Sequence, residues 1–275
     1  MFKLIKKISI EVHNKCTRNC YFCPGHLSDN VNSDKNGNFR YMSEEMLEYI
    51  CDKILENKEL FSDNLLILFY GFAELTYKSE ILKKCIHIIN KKLRNKINFK
   101  TRIIVNGDLI DNIFLDNIIG IDHITINDYE GIGIKRFIEI SKKCNINISN
   151  LRIINIELQF IKKIINVFDK KRNINIYYVT NTNDIKVFNL GSCIFKNYDY
   201  IRKEKCGSIG KELMFDSNGI VKICTNVNQD IEEHKEVCKW NIKKQPLKEI
   251  IKEINNLNIP NPCLHCDNRW EFCIE

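Results

Sequence analysis

Three cysteines stand four and three residues apart in the stretch Cys16-Thr17-Arg18-Asn19-Cys20-Tyr21-Phe22-Cys23, directly after a segment of alternating apolar residues. Cysteine thiolates are the usual ligands of a four-iron cubane, and three of them on one loop can hold three irons. The fourth iron is then left open. An open iron on a reducible cluster can bind and cleave a small molecule, whereas a cluster with four thiolates stores or carries electrons. The same thiols admit a second chemistry, a zinc knuckle made from Cys20, Cys23 and two further ligands drawn from His13, His26 or a distant cysteine. Another group of cysteines begins past residue 183, at positions 193, 206, 224, 238, 263, 266 and 273. Residues 212–224 read as a β-hairpin turning at Asn218-Gly219. Cys206 precedes that hairpin, Cys224 closes it, and Pro262-Cys263-Leu264-His265-Cys266 supplies a C-x2-C pair after a helix near residues 246–255. Four such thiolates suit either a tetrahedral zinc or a second [4Fe–4S] cluster.

The elements that must position these residues alternate along the chain. Residues 7–13 carry a period of two and predict a strand. Residues 27–40 are polar and predict a mobile loop. Ser43 then caps a helix whose apolar stripe is Met46, Leu47, Ile50, Ile54 and Leu55. Residues 64–70 form a dense apolar run, the mark of a parallel strand buried on both faces. A helix over 79–94, a strand over 99–105 ended by Asn106-Gly107, and a strand over 121–126 ending at Asn127-Asp128 follow. The remaining expected elements are a helix over 133–143, a strand over 151–157, a helix over 159–169 and a strand over 173–179. About six strand–helix units predict an α/β fold with a parallel sheet and outer helices. Six are too few to close an eight-stranded barrel. The expectation is an open six-stranded (β/α)6 partial barrel over residues 1–183, with a small C-terminal β-hairpin plus helix domain over 184–275. Ligands bind at the carboxyl ends of such strands, where Cys16, Glu74, Asn106, Asn127, Asp128 and Glu157 fall. Arg152 comes early in its strand, and pointing inward it would need an anionic partner.

The cysteine loop and its surroundings resemble the radical S-adenosylmethionine (radical SAM) superfamily. The resemblance rests on C-x3-C-x2-C at Cys16, Cys20 and Cys23, with the aromatic Phe22 before the last cysteine. It implies a [4Fe–4S] cluster whose open iron binds SAM and splits it into methionine and a 5′-deoxyadenosyl radical. Gly71-Phe72-Ala73-Glu74-Leu75 resembles the superfamily's Gly-Gly-Glu-Pro motif in Gly71 and Glu74, which implies that Glu74 faces the SAM ammonium; capping of the helix near Lys78 is the plainer role. Val105-Asn106-Gly107 is similar to the superfamily's Thr-Asn-Gly. Relatives place ribose- or substrate-contacting residues where Asn127 stands, and Arg152 is a candidate for the SAM carboxylate or a substrate oxygen.

The later cysteines resemble the "twitch" appendage, the shortened SPASM domain, in Cys206, Gly219, Cys224, Cys263 and Cys266. This implies an auxiliary [4Fe–4S] cluster on Cys206, Cys224, Cys263 and Cys266 that accepts an electron from the substrate radical. Asn241-Ile242 is similar to the Gly-Asn-Ile segment before the last helix. Cys193, Cys238 and Cys273 are left over. Within the superfamily the chain looks most like the twitch-bearing dehydrogenases that oxidise a secondary alcohol of 2-deoxy-scyllo-inosamine. Peptide-modifying relatives share the architecture, and many carry a peptide-recognition domain ahead of the cysteine loop; that loop begins here at residue 16, which weighs toward a small hydroxylated, cyclitol- or sugar-like substrate. An external one-electron reductant of the flavodoxin or ferredoxin kind is the implied partner.

Composition narrows the field. The chain has 275 residues, 44% of them hydrophobic, enough for one substantial core or a domain of about 200 residues with an appendage. It contains no apolar stretch of membrane-spanning length and no signal-peptide pattern, so the expected location is cytoplasmic. Thirteen cysteines, odd in number and uneven in spacing, argue for metal binding over a disulfide scaffold. Cys51, Cys85 and Cys144 lie far from other cysteines and are expected to be plain thiols. The formal charge of +7 falls to about +4 with both clusters bound. The basic residues are scattered and form no arginine–aromatic stripe, which excludes a single-strand nucleic-acid binder.

Overall fold

Strand β1 (Ile5–Ile10) owes its central place to having two buried faces. Ile8 and Ile10 join the hydrophobic core, while Lys7, Ser9, Glu11 and His13 alternate onto the opposite side and are buried as well. The computed structural model describes residues 5–18, 39–129, 148–154, 175–179, 201–264 and 266; for residues 128–129 and for the segments 148–154 and 175–179 the backbone alone is described.

Five more strands follow β1 in parallel: β2 (Phe61–Phe69), β3 (Phe99–Val105), β4 (His123–Tyr129), β5 (Ile148–Ile154) and β6 (Asn175–Val179). On the other side of β1 lies β7 (Glu212–Phe215), also parallel, with Lys7 beside Glu212 and Ile10 beside Phe215. Then come β8 (Ile220–Lys222) and β9 (Trp240–Asn241), each antiparallel to its neighbour. The sheet order is β6-β5-β4-β3-β2-β1-β7-β8-β9. The C-terminal hairpin therefore extends the sheet of the N-terminal strands.

Helix α1 (Glu44–Glu56) starts where expected, with Ser43 Oγ accepting from Met46 N at 3.1 Å. It buries Met46, Leu47, Ile50, Cys51 and Ile54, each apolar side chain worth about 1.5–3 kcal/mol. α2 (Ser79–Leu93) packs beside it, and α3 (Asn112–Asn117) is capped by Asp111. The helices expected over 133–143 and 159–169 lie outside the described residues. α4 (Leu247–Asn256) and the single turn α5 (Asn261–Leu264) follow β9. Gly219 makes the hairpin turn with φ +79°, and a Cβ there would meet Met46 and Ile242 at 3.2 and 3.3 Å. Among the described residues no helix is long and apolar enough to cross a membrane.

One boundary differs from the sequence reading. β4 continues through Asn127 and Asp128 to Tyr129, so these residues lie inside the strand and not beyond its end. Asn and Asp disfavour strands when read locally, but pairing with β5 holds them, with Asn127 beside Arg152 and Arg152 beside Tyr177. Paired residues of neighbouring strands share a face. The polar side of β1 thus continues across the sheet through Leu68, Arg102, His123 and Asn127.

Candidate functional site

Cys16 is half-buried just past the end of β1; Cys20, Phe22 and Cys23 lie outside the described residues. What is described is how the start of their loop is fastened. His13 is 1% exposed. Its Nδ1 accepts from Lys15 N at 3.2 Å, which fixes Nε2 as the protonated nitrogen that donates to Tyr77 O at 2.9 Å. Both ring nitrogens are used in the neutral state, and burial pushes the imidazole down to about 4. His13 is therefore a fastener between the cysteine loop and the loop after β2, and no lone pair is left on it for a metal.

Glu74 is the junction of three loops. It is 2% exposed. Its backbone N–H donates to Lys15 O at 2.9 Å, on the cysteine loop. Oε1 accepts from Thr76 N at 3.2 Å and Thr76 Oγ1 at 2.6 Å, and Oε2 accepts from Asn106 N at 2.6 Å at the end of β3. Burial still outweighs these three donors and raises the carboxyl to about 7. Gly71 permits the packing: a Cβ there would stand 2.9 Å from Glu11 Cγ and 3.6 Å from His13 O. Asn106 Oδ1 accepts from Asp108 N at 3.0 Å, and Asp108 in turn binds Arg18 of the cysteine loop through two contacts of 2.6 Å. The carboxyl ends of β1, β2 and β3 are thus tied into one platform.

The structure brings Cys16, Gly71, Glu74 and Asn106 together. Asn127 is on the adjoining strand, one register step past the Val105–Ile126 pair, and its Oδ1 is buried with no hydrogen-bond partner among the described residues. Arg152 is beside Asn127 in register; its side chain, like Glu157, lies outside the described residues.

The four later cysteines meet. Cys206, Cys224, Cys263 and Cys266 line a single pocket with Arg202, Ser208, Ile209, Ile223, Asn226 and Val227. They arrive from separate places in the fold: the approach to β7, the exit of β8, and the turn of α5 with the residue beyond it. Arg202 closes the pocket by donating to Cys266 O at 2.7 and 3.1 Å. Burial drives Cys224 well above the ordinary thiol range, with Glu212, Cys263 and Cys266 acting in the same direction. Burial followed by Cys266 and Cys206 takes Cys263 up to about 12, and Arg202 works against them. Cys263 and Cys266 are buried and Cys206 and Cys224 half-buried; in kind and number, four thiols lining one pocket are a donor set that a cation or a cationic cluster core would stabilise as thiolates. Among the described residues no three Cys, His, Asp or Glu side chains converge tightly enough to hold a single metal ion. Cys51 and Cys85 are buried thiols pushed to about 12, as plain packing residues should be; Cys144, Cys193 and Cys273 lie outside the described residues.

No family model matches the chain, and no curated protein matches it by sequence. Solved structures do. The crystal structure of BtrN in complex with AdoMet and 2-DOIA superposes with a TM-score of 0.63 at 15% identity, covering 98% of this chain and 95% of that one. The chain has its fold. Histidine-tagged anSMEcpe with bound AdoMet matches with a TM-score of 0.59 at 15% identity, over 94% of this chain and 79% of the other. Native anSMEcpe with bound AdoMet and the Cp18Cys peptide gives 0.57 at 14% identity, over 95% and 83%.

Several residues of the site were missed in the sequence. Thr76, Asp108, Glu11, Glu212, Lys222 and Arg202 carry no motif. One signal was present: Lys7, Ser9, Glu11 and His13 alternate on a strand flanked by parallel neighbours, and such a strand is buried on both faces. Polar residues on a buried face need buried partners, which Glu212, Lys222 and Tyr77 supply.

Proposed function

We propose that the chain is a radical SAM oxidoreductase that oxidises a small hydroxylated, cyclitol- or sugar-like molecule. In this reading β1–β6 form the open partial barrel and residues 184–275 the auxiliary domain. The observation that carries it is the gathering of Cys206, Cys224, Cys263 and Cys266 in one pocket, on the same sheet as a C-x3-C-x2-C loop that follows β1. Cys16, Cys20 and Cys23 would hold a [4Fe–4S] cluster, and the four later cysteines a second one. When bound, the first cluster and SAM supply a radical able to take a hydrogen atom from a carbon, and the second cluster takes the remaining electron.

The protein's own residues do the positioning. Glu74, Asn106 and the Arg18–Asp108 pair hold the cysteine loop against the ends of β2 and β3. Asn127 on β4, with Arg152 beside it in register on β5, would meet the ligand. Support comes from the fold shared with BtrN, solved with AdoMet and 2-DOIA. A cytoplasmic setting and a flavodoxin- or ferredoxin-like donor belong to the same reading.

A peptide maturase is the second reading, favoured by the likeness to anSMEcpe solved with AdoMet and a peptide. The test is anaerobic turnover with SAM, following 5′-deoxyadenosine, methionine and product mass. An aminocyclitol or sugar alcohol losing two hydrogens supports the first reading; the same mass change on a peptide alone supports the second; no deoxyadenosine under any condition refutes both.

A further inference from the structure

β7 and β8 pair with Met214 opposite Lys222; Glu212 stands two residues before the one, Cys224 two residues after the other, and after burial Glu212 is the foremost charge acting on the Cys224 thiol. Glu212 is 1% exposed. Its Oε1 receives Lys7 Nζ at 2.9 Å and Ser9 Oγ at 3.4 Å from β1, while Oε2 is buried with no hydrogen-bond partner among the described residues. A carboxylate and an ammonium are thus fixed, out of water, within electrostatic reach of Cys224 in the four-cysteine pocket. Charges in such a place are little screened, and net local charge is one of the main determinants of an iron–sulfur potential.

We propose that Glu212 and Lys7 set the reduction potential of an iron–sulfur cluster held by Cys206, Cys224, Cys263 and Cys266, the carboxylate opposing the incoming electron and the ammonium favouring it. The inference rests on the reading of that pocket as a cluster site. The electron is the one that the substrate gives up in the proposed oxidation; dithionite supplies it in the measurement. Glu212 and Lys7 are positioning residues here, acting through the electrostatics of Cys224 and its neighbours and touching no substrate.

The test is a potentiometric titration followed by electron paramagnetic resonance. It uses the anaerobically reconstituted full chain with Cys16, Cys20 and Cys23 replaced by alanine, so that only the second site contributes. Glu212→Gln should favour reduction about tenfold, which for a one-electron couple is about 59 mV upward. Lys7→Met should shift the potential downward, and the double variant should fall between the two. A merely structural role would lower cluster loading without giving shifts of opposite sign. Loaded variants whose potentials do not move, or move in the same direction, overturn the proposal. Should Glu212→Gln fail to load, Lys7→Met decides alone, and an unchanged potential there overturns it. A parent chain that takes up no cluster at the second site refutes the cluster reading itself, and the inference with it.

Discussion

Cys16 follows the carboxyl end of β1 among polar clamps, whereas Cys224 follows β8, two strands away beyond β7, in a pocket walled by Ile209, Ile223 and Val227. From Lys7 to His13 the extended chain runs about 20 Å, and the side of β1 between them carries Ser9 and Glu11, with Glu11 Oε2 bound to Lys222 Nζ at 3.2 Å. The first site is a loop held by directed hydrogen bonds to its neighbours' ends. The second is closed by apolar packing and one arginine. A site that must admit SAM and substrate needs a rigid rim and an open middle, whereas a site that only takes an electron is better served by enclosure. The two differ in the way the proposed function would require.

The largest effect should come from separating them. Replacing Cys263 and Cys266 with alanine should leave SAM cleavage measurable and abolish product formation, because the first site's clamps do not involve them. Full product formation by the folded variant would remove the second site from the reaction.

Glu74→Ala is next. It leaves three buried donors on Thr76 and Asn106 without an acceptor, which costs about 3 kcal/mol of stability. It also lets the three strand ends part, and SAM cleavage should fall about 100-fold. Glu74→Gln keeps one acceptor oxygen and should lie between. Unchanged cleavage in a folded Glu74→Ala chain would show that the platform is not needed.

His13 sharpens the contrast through pH. Its folded value of about 4 lies below its ordinary 6.5, so the unfolded chain binds the extra proton first. Stability that is complete above pH 6.5 is therefore lost as the pH falls toward 4, by about 3 kcal/mol. Denaturant midpoints of the metal-free chain at pH 7 and pH 5 should show the loss, and His13→Gln should flatten it. An identical slope in both chains would contradict the neutral, doubly bonded imidazole.

Asp108→Asn should have the smallest effect. The Arg18–Asp108 pair is about one-fifth exposed, so its loss costs about 1 kcal/mol, read as a several-fold weaker SAM affinity with the fold intact. A change larger than that of Glu74→Ala would invert the assigned ranking.

How much of this was written in the sequence depends on range. Cys16, Glu74 and Asn106 were placed at strand ends by local periodicity, and the Ser43 cap and the Asn218-Gly219 turn were legible from residue type alone. The shared pocket of Cys206, Cys224, Cys263 and Cys266 had a spacing signature that resemblance could read. The pairing of β1 with β7 joins residues some two hundred positions apart, and no local pattern announces it. Lys7–Glu212 and Glu11–Lys222 were hidden for the same reason, since each half looks like an ordinary exposed charge until the strands meet. Glu74 was assigned to a ligand ammonium; its bonds to Thr76 and Asn106 depend on loop geometry that a motif does not encode. The end of β4 was misjudged because propensity at Asn127 and Asp128 yields to cross-strand pairing.

The most direct test is iron and acid-labile sulfide per chain after anaerobic reconstitution, in the wild type and in the variant with Cys16, Cys20 and Cys23 all replaced by alanine. Two separate cubane sites predict about eight irons falling to about four. About four falling to none, with zinc in the C-terminal pocket, would contradict the account and turn the chemistry toward redox-neutral radical reactions.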